Sequence, residues 1–318
     1  MKVSVVGCGR WGSFITWYLS SNGHEVIEYG REDGASYQIL KTTGKNKYVT
    51  LNKSVKLTCN LSDVLQSDII IISVLSQSLR AVLNDLKKLG LGEQKVVLCM
   101  KGLEVESGKR LSEVAIECGV KKENVAVWLG PGHIEEFVLG KPNCMVIDSY
   151  SEELTKFLAD SFRSNLIRFY YGDDIIGNEI GAASKNVFGI AAGMLDGGGY
   201  TTLKGSLMAR GAREISRLIK AMGGNEHSAY GLCHLGDYET TLFSSYSHNR
   251  TFGEAFIKGE KFLKSAEGVE TVKALKKLGE IYGEELPITN AVYSILYENK
   301  EPIKTFNSLF SRSSRNEF

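Results

Sequence analysis

Proline is scarce in this chain, 4 residues among 318, while glycine is abundant at 34. That combination excludes collagen-like structure and disorder and implies many tight turns between regular elements. A surplus of one charge is also missing. The 38 Lys and Arg balance 37 Asp and Glu, for a net charge of +1. Without a basic footprint to displace phosphate counterions, the balance argues against non-specific nucleic-acid binding. No run of about 18 apolar residues occurs, so no membrane span is expected. The N-terminus has no signal-peptide pattern: Met1-Lys2 leads straight into an apolar run and a glycine loop, with no small-residue cleavage site after it. Six cysteines (Cys8, Cys59, Cys99, Cys118, Cys144 and Cys233) include no CxxC pair. They read as reduced thiols in a cytoplasmic protein, with neither a disulfide frame nor a metal site.

What is present is an alternation of short apolar runs and helical stretches over the first half. Residues 2–6 are β-rich, 10–21 place apolar side chains at helical spacing, and 25–29 form a second strand. Residues 68–74 read Asp-Ile-Ile-Ile-Ile-Ser-Val, the unbroken β-branched run of a central parallel strand buried on both faces. A helix is expected over 77–88 and strands over 95–100 and 124–129, with 144–148 and 166–171 extending the sheet. This is the α/β pattern of a Rossmann-type, doubly wound parallel sheet. Beyond residue 172 the pattern becomes helical: 177–193, 207–222 stopped by Gly223-Gly224, 262–282 and 288–297. Two domains are expected, a dinucleotide-binding one over 1–172 and an all-helical one over 173–318, hinged at Gly172-Asp173-Asp174. The polar end, 311–318, is expected to fray.

Gly7-Cys8-Gly9-Arg10-Trp11-Gly12 fits GxGxxG, and it follows the first strand and opens the first helix. In that context the first glycine makes the turn, the second admits a pyrophosphate, and the third lets helix pack on strand. The end of the second strand selects between cofactors: an acid there would bind the ribose of NAD, whereas an arginine would accept the 2′-phosphate of NADP. Glu28 lies inside the strand and Arg31 at its tip, which favours NADP; an arginine on a solvated loop is the competing reading.

Two lysines stand where chemistry could use them. Lys101 ends an apolar strand, on the side of the sheet where ligands collect. Lys185 lies in Glu179-Ile-Gly-Ala-Ala-Ser-Lys-Asn-Val-Phe-Gly, a lone charge among small and apolar neighbours. Burying such a charge without purpose is costly, and a buried lysine gives up its proton more readily than a solvated one. Asn186 beside it could hold a substrate hydroxyl or orient the amine. Further on, Gly236-Asp237 and Thr240-Thr241 precede Ser247-His248-Asn249-Arg250, a region that could fix a lysine and grip an anion.

These motifs, taken in order with Gly130-Pro131, Phe252-Gly253 and Ala266-Glu267-Gly268, resemble the NAD(P)-dependent glycerol-3-phosphate dehydrogenase family from Val3 to about Glu298. The resemblance implies reduction of dihydroxyacetone phosphate to sn-glycerol 3-phosphate, a phospholipid precursor, by NAD or NADP in a cytoplasmic homodimer. It implies Lys185 as general acid/base, held by Asp237, with Lys101 also catalytic. It implies substrate contacts at Lys101, Gly130, Gly132, Asn186, Asp237, Thr241, Ser247, His248 and Asn249. Cofactor contacts are implied at Gly7, Gly9, Arg10, Trp11, Gly12, Arg31, Lys101, Ile134, His248 and Glu267.

The chain departs from the family pattern in three places. Gly132-His133-Ile134 stands where the family has Ser or Thr followed by Phe-Ala, His248 where it has a phosphate-gripping arginine, and Leu75 where it has proline. Imidazole offers fewer donors than a guanidinium and only a part-time charge. A phosphate ester would then be held through His248, Arg250 and Lys204. A reductase for another small carbonyl compound, or a non-catalytic dinucleotide sensor, are the alternatives.

Overall fold

A computed structural model describes residues 1–313, 316 and 317. Of the end expected to fray, Ser314, Arg315 and Phe318 lie outside the described residues. The chain divides into two compact units, Met1–Glu104 with Lys109–Glu179, and Val105–Gly108 with the chain from Ile180 on. The division falls inside a helix, later than the hinge read at Gly172-Asp173-Asp174, and the loop Val105–Gly108 joins the second unit.

The first unit is built on an eight-stranded sheet. In chain order it runs β1 Lys2–Val6, α1 Arg10–Ser21, β2 Glu25–Tyr29, α2 Ala35–Thr43, β3 Lys56–Thr58, β4 Ile69–Ile72, α3 Leu79–Lys88 and β5 Lys95–Leu98. There follow α4 Leu111–Glu117, β6 Val125–Leu129, α5 Ile134–Phe137, β7 Asn143–Ser149, α6 Glu152–Phe162 and β8 Ile167–Tyr171. The strand order is β3-β2-β1-β4-β5-β6-β7-β8. Every pair is parallel except β6 with β7, so the expected parallel sheet is corrected at that one place. The reason lies between the two strands, where only the four-residue α5 occurs and no full crossover helix returns the chain to the same end. All four residues of β4 are buried, as befits a central strand covered on both faces.

Chain order reverses beside β1, which lies between β2 and β4. Such a switch point opens a crevice at the carboxyl ends of the strands. Helix α1 seals one face with Phe14, Ile15, Tyr18 and Leu19, all buried. They pack in a cluster with Val3, Val5, Trp128 and Phe162.

The second unit is helical. It contains most of α7 Ile175–Gly197, then α8 Leu203–Ala221, α9 His248–Lys258, α10 Glu267–Tyr282, α11 Pro287–Tyr297 and α12 Pro302–Ser308. Helix α10 starts at Glu267, not at 262, because Ala266 is extended and Phe262 packs against Phe252. Helix α7 is apolar and small nearly all round, and the side chains of 180–195 are buried. Among the described residues no helix is long and apolar enough to cross a membrane.

Candidate active site

In the first unit, the loop between β1 and α1 meets the requirements of a dinucleotide cradle. Gly7 has φ +119°, and a Cβ there would lie 2.3 Å from the Ser73 carbonyl oxygen. Gly9 is open: a Cβ added to it would meet nothing within 4 Å. Gly9 also caps α1 without a side-chain hydrogen bond, which leaves the helix N-terminus for an anion. Trp11 packs on Phe14 and Phe137, with ring centroids 5.1 and 6.4 Å away. The Arg10 guanidinium pairs with Glu135 at 2.5 Å and lies over the Tyr48 ring. Ile134 is 1% exposed and belongs to the core, so its side chain is packed within the protein.

At the end of β2 the two candidate selectors part company. Glu28 is fully buried, and its Oε1 accepts a hydrogen bond from Ser13 Oγ at 2.9 Å. Burial pushes its carboxyl up to about 7, against the pull of that hydrogen bond. The Arg31 side chain is 78% exposed, with Asp33 3.7 Å away. Lys101, beyond the end of β5, donates from Nζ to the Gly130 carbonyl at 2.6 Å; Gly130 and Gly132 lie in the loop after β6.

In the second unit, α7 presents Lys185, 6% exposed. Its Nζ lies 2.8 Å from Asp237 Oδ2 and donates to Thr241 Oγ1 at 2.8 Å. Asp237 has no exposed surface and ends a short 3₁₀ turn, Leu235–Asp237. A single π-helical turn, Glu239–Phe243, follows and places Thr241 on the lysine; such turns recur at functional sites. Thr240 Oγ1 bonds the other oxygen of Asp237. Beside them Asn249 Nδ2 donates to Asn186 Oδ1 at 3.0 Å, while Asn249 Oδ1 accepts from the Gly268 amide at 2.9 Å. The Asn249 amide is thereby fixed from both ends. Glu267 is the first residue of α10.

Ser247 caps α9, accepting from the Arg250 amide, and His248 follows it with its ring edge-on to Phe262. The structure ties up two of the cations read as phosphate donors. Arg250 Nε and Lys204 Nζ each lie 2.8 Å from a different oxygen of Asp196, and Arg250 also pairs with Glu254. Asp196, near the end of α7, is not singled out by the sequence; it reads as an acid in the last turn of that helix. His234, which packs against the Lys185 helix, was missed as well.

Two family models match the chain. The one described as NAD-dependent glycerol-3-phosphate dehydrogenase N-terminus covers residues 2–155, and its C-terminus counterpart covers 174–307. The chain belongs to this dehydrogenase family. It is 35% identical over 328 residues to a glycerol-3-phosphate dehydrogenase, NAD(P)+, of Thermoanaerobacter sp. (strain X514), across 100% of this chain and 99% of that one. A protein of the same name from Oceanobacillus iheyensis is 34% identical, across 99% and 95% of the two chains. A crystal structure of glycerol-3-phosphate dehydrogenase from Coxiella burnetii superposes with a TM-score of 0.90 at 26% identity, covering 98% of this chain and 99% of that one. The glycerol-3-phosphate dehydrogenase fold, a nucleotide-binding sheet unit followed by helices, is the fold of this chain.

Proposed function

We propose that this chain reduces dihydroxyacetone phosphate to sn-glycerol 3-phosphate with NAD(P)H, and runs the reverse reaction, with Lys185 as general acid and base. The observation that carries the reading is the buried Lys185–Asp237 pair with Thr241 at the same nitrogen. The glycine loop suits the dinucleotide, with Gly9 open and the α1 N-terminus uncapped by any side chain. A dinucleotide whose pyrophosphate is held there would supply the hydride for the C2 carbonyl carbon.

Negative charge develops on the carbonyl oxygen as that carbon is reduced. Lys185 Nζ gives its proton to this oxygen, and its ammonium stabilises the charge beforehand. Asp237 holds the ammonium, and Thr241 fixes its direction by accepting one of its hydrogens. Lys101, steadied by the Gly130 carbonyl, contacts substrate and cofactor. The phosphate falls to Asn249 and His248 in the first turn of α9, where the helix N-terminus favours an anion. Gly132 offers no side-chain donor, and Lys204 and Arg250 are held by Asp196, so this grip is lighter in permanent charge than the motif implies. Arg31 at the tip of β2 favours NADPH. The family resemblance further supports a cytoplasmic homodimer that feeds glycerophospholipid synthesis.

Steady-state oxidation of NADPH and NADH tests this with dihydroxyacetone phosphate beside dihydroxyacetone and a 2-keto acid. Turnover confined to the phosphate ester is expected. Preference for an unphosphorylated ketone would contradict the reading.

A further inference from the structure

His234 belongs to no motif named above, yet it is fully buried three residues before Asp237 and lies against the helix that carries Lys185. Its Nδ1 is 2.9 Å from the Gly181 carbonyl and 3.2 Å from Ser184 Oγ, both on α7. Its Nε2 is 2.7 Å from the Tyr238 hydroxyl. A carbonyl can only accept, so Nδ1 carries the hydrogen and Nε2 accepts from the Tyr238 O–H. Contact is close by construction: a Cβ on Gly181 would stand 2.9 Å from the Cβ of His234. Rings of Phe188 on α7 and Tyr238 meet the imidazole edge-on at 5.6 and 4.7 Å.

We propose that His234 is a positioning residue of the proton-transfer centre: by tying the α7 backbone at Gly181 to Tyr238 in the following turn, it sets the Asp237 carboxylate against Lys185 Nζ. The inference rests on the functional reading above. Asp237 lies between the two anchored residues of its turn, so its place along α7 follows from theirs. Gly181 and Lys185 are four residues apart, one helical turn, so the clamp and the lysine share a face of α7. The ring also stays neutral. Burial lowers its pKa to about 4, helped by the Lys185 charge and opposed by the Gly181 and Gly211 carbonyls and by Asp237. Glu214 acts on Tyr238 from α8, not on the ring itself. A neutral clamp adds no second positive charge that would compete with Lys185 for Asp237.

The test compares His234→Leu, His234→Asn and Tyr238→Phe with the wild type, reading kcat, KM for NADPH and melting temperature from about pH 6 to 10. The asparagine amide can replace the Nδ1 donor, whereas leucine replaces none. In His234→Leu a loosened Asp237 lets the ammonium lose its proton more readily, so the alkaline limb of kcat should move down by about one pH unit. Its kcat should fall about tenfold while KM for NADPH stays within about twofold, the effect of a group misplaced by a fraction of an ångström. His234→Asn should recover most of the rate, and Tyr238→Phe should move the limb the same way by less.

Wild-type kcat and limb in folded His234→Leu would overturn the proposal, as would an asparagine variant no better than leucine. If the leucine variant does not fold, an unmoved limb in Tyr238→Phe overturns it. The ¹⁵Nζ titration of Lys185 in the substrate-free proteins reads the same shift without turnover. It therefore separates failure of this proposal from failure of the substrate reading, which an inactive wild type would show.

Discussion

Lys185 Nζ and Asp237 Oδ2 face each other at 2.8 Å with both side chains buried. An ammonium in that position would be prohibitively costly alone and is tolerable only beside its carboxylate. The pair explains how a charge can be buried on a helix rich in alanine and glycine.

Replacing Lys185 by alanine should reduce kcat about 10²–10⁴-fold, the usual contribution of a positioned acid. NADPH affinity, read by fluorescence titration, should stay near the wild-type value, because the glycine loop is in the other unit. Near-normal kcat would remove Lys185 from its role.

The same lysine shows what could be read without coordinates. A lone charge at 185 in an Ala/Gly-rich run is a local signal, and so are GxGxxG after a strand and the β-branched 69–72. Partners are different. Asp237 lies 52 positions from Lys185, and only the family resemblance joined the two. The clamp from His234 to Gly181 has no local pattern at all, since a buried histidine and a surface one look alike in sequence. Lys204 and Arg250 looked like free cations because their shared acid, Asp196, sits on another element. The direction of β7 was hidden for a similar reason, since pairing direction depends on how the chain crosses and not on strand composition.

Removing the Asp237 charge should separate stability from chemistry. Asp237→Asn keeps the shape but leaves the ammonium uncompensated, a change that costs about 3–5 kcal/mol in a buried pair. Its melting temperature should fall clearly, and kcat with it. The double variant Lys185→Met/Asp237→Leu should regain much of the melting temperature and none of the activity. Thermal denaturation of the three proteins checks this.

Arg31→Ala should raise KM for NADPH about ten- to hundredfold, the worth of a charge-assisted bond, while changing KM for NADH little. The exposed guanidinium pairs with Asp33 at 3.7 Å, and an exposed pair that loose contributes little to stability. Equal effects on both cofactors would return Arg31 to a solvated loop.

Glu28 gives a pH dependence with a definite sign. Its carboxyl rises from 4.5 unfolded to about 7 folded, chiefly through burial. Between those values the folded state holds the extra proton, so stability is lost as pH rises from about 4.5 to 7. The full loss, on the order of 3 kcal/mol, is present by pH 8. Glu28→Gln should therefore melt higher than the wild type at pH 8 and close to it at pH 5. The reverse order would contradict a raised carboxyl.

His248→Arg should lower KM for dihydroxyacetone phosphate. A guanidinium offers a bidentate fork and a permanent charge where an imidazole offers at most two donors. KM of the two proteins measured side by side is the readout, and an unchanged or higher KM in the variant would contradict the role of His248.

Transfer of label reports hydride delivery to the substrate carbon. NADPH deuterated at both C4 positions is incubated with the enzyme and dihydroxyacetone phosphate, and the product is weighed by mass spectrometry and located by NMR. The expected product is sn-glycerol 3-phosphate carrying one deuterium on C2, formed by the wild type and lost with Lys185→Ala. Cofactor that stays unoxidised with this substrate, or deuterium delivered only to a different carbonyl compound, would contradict it.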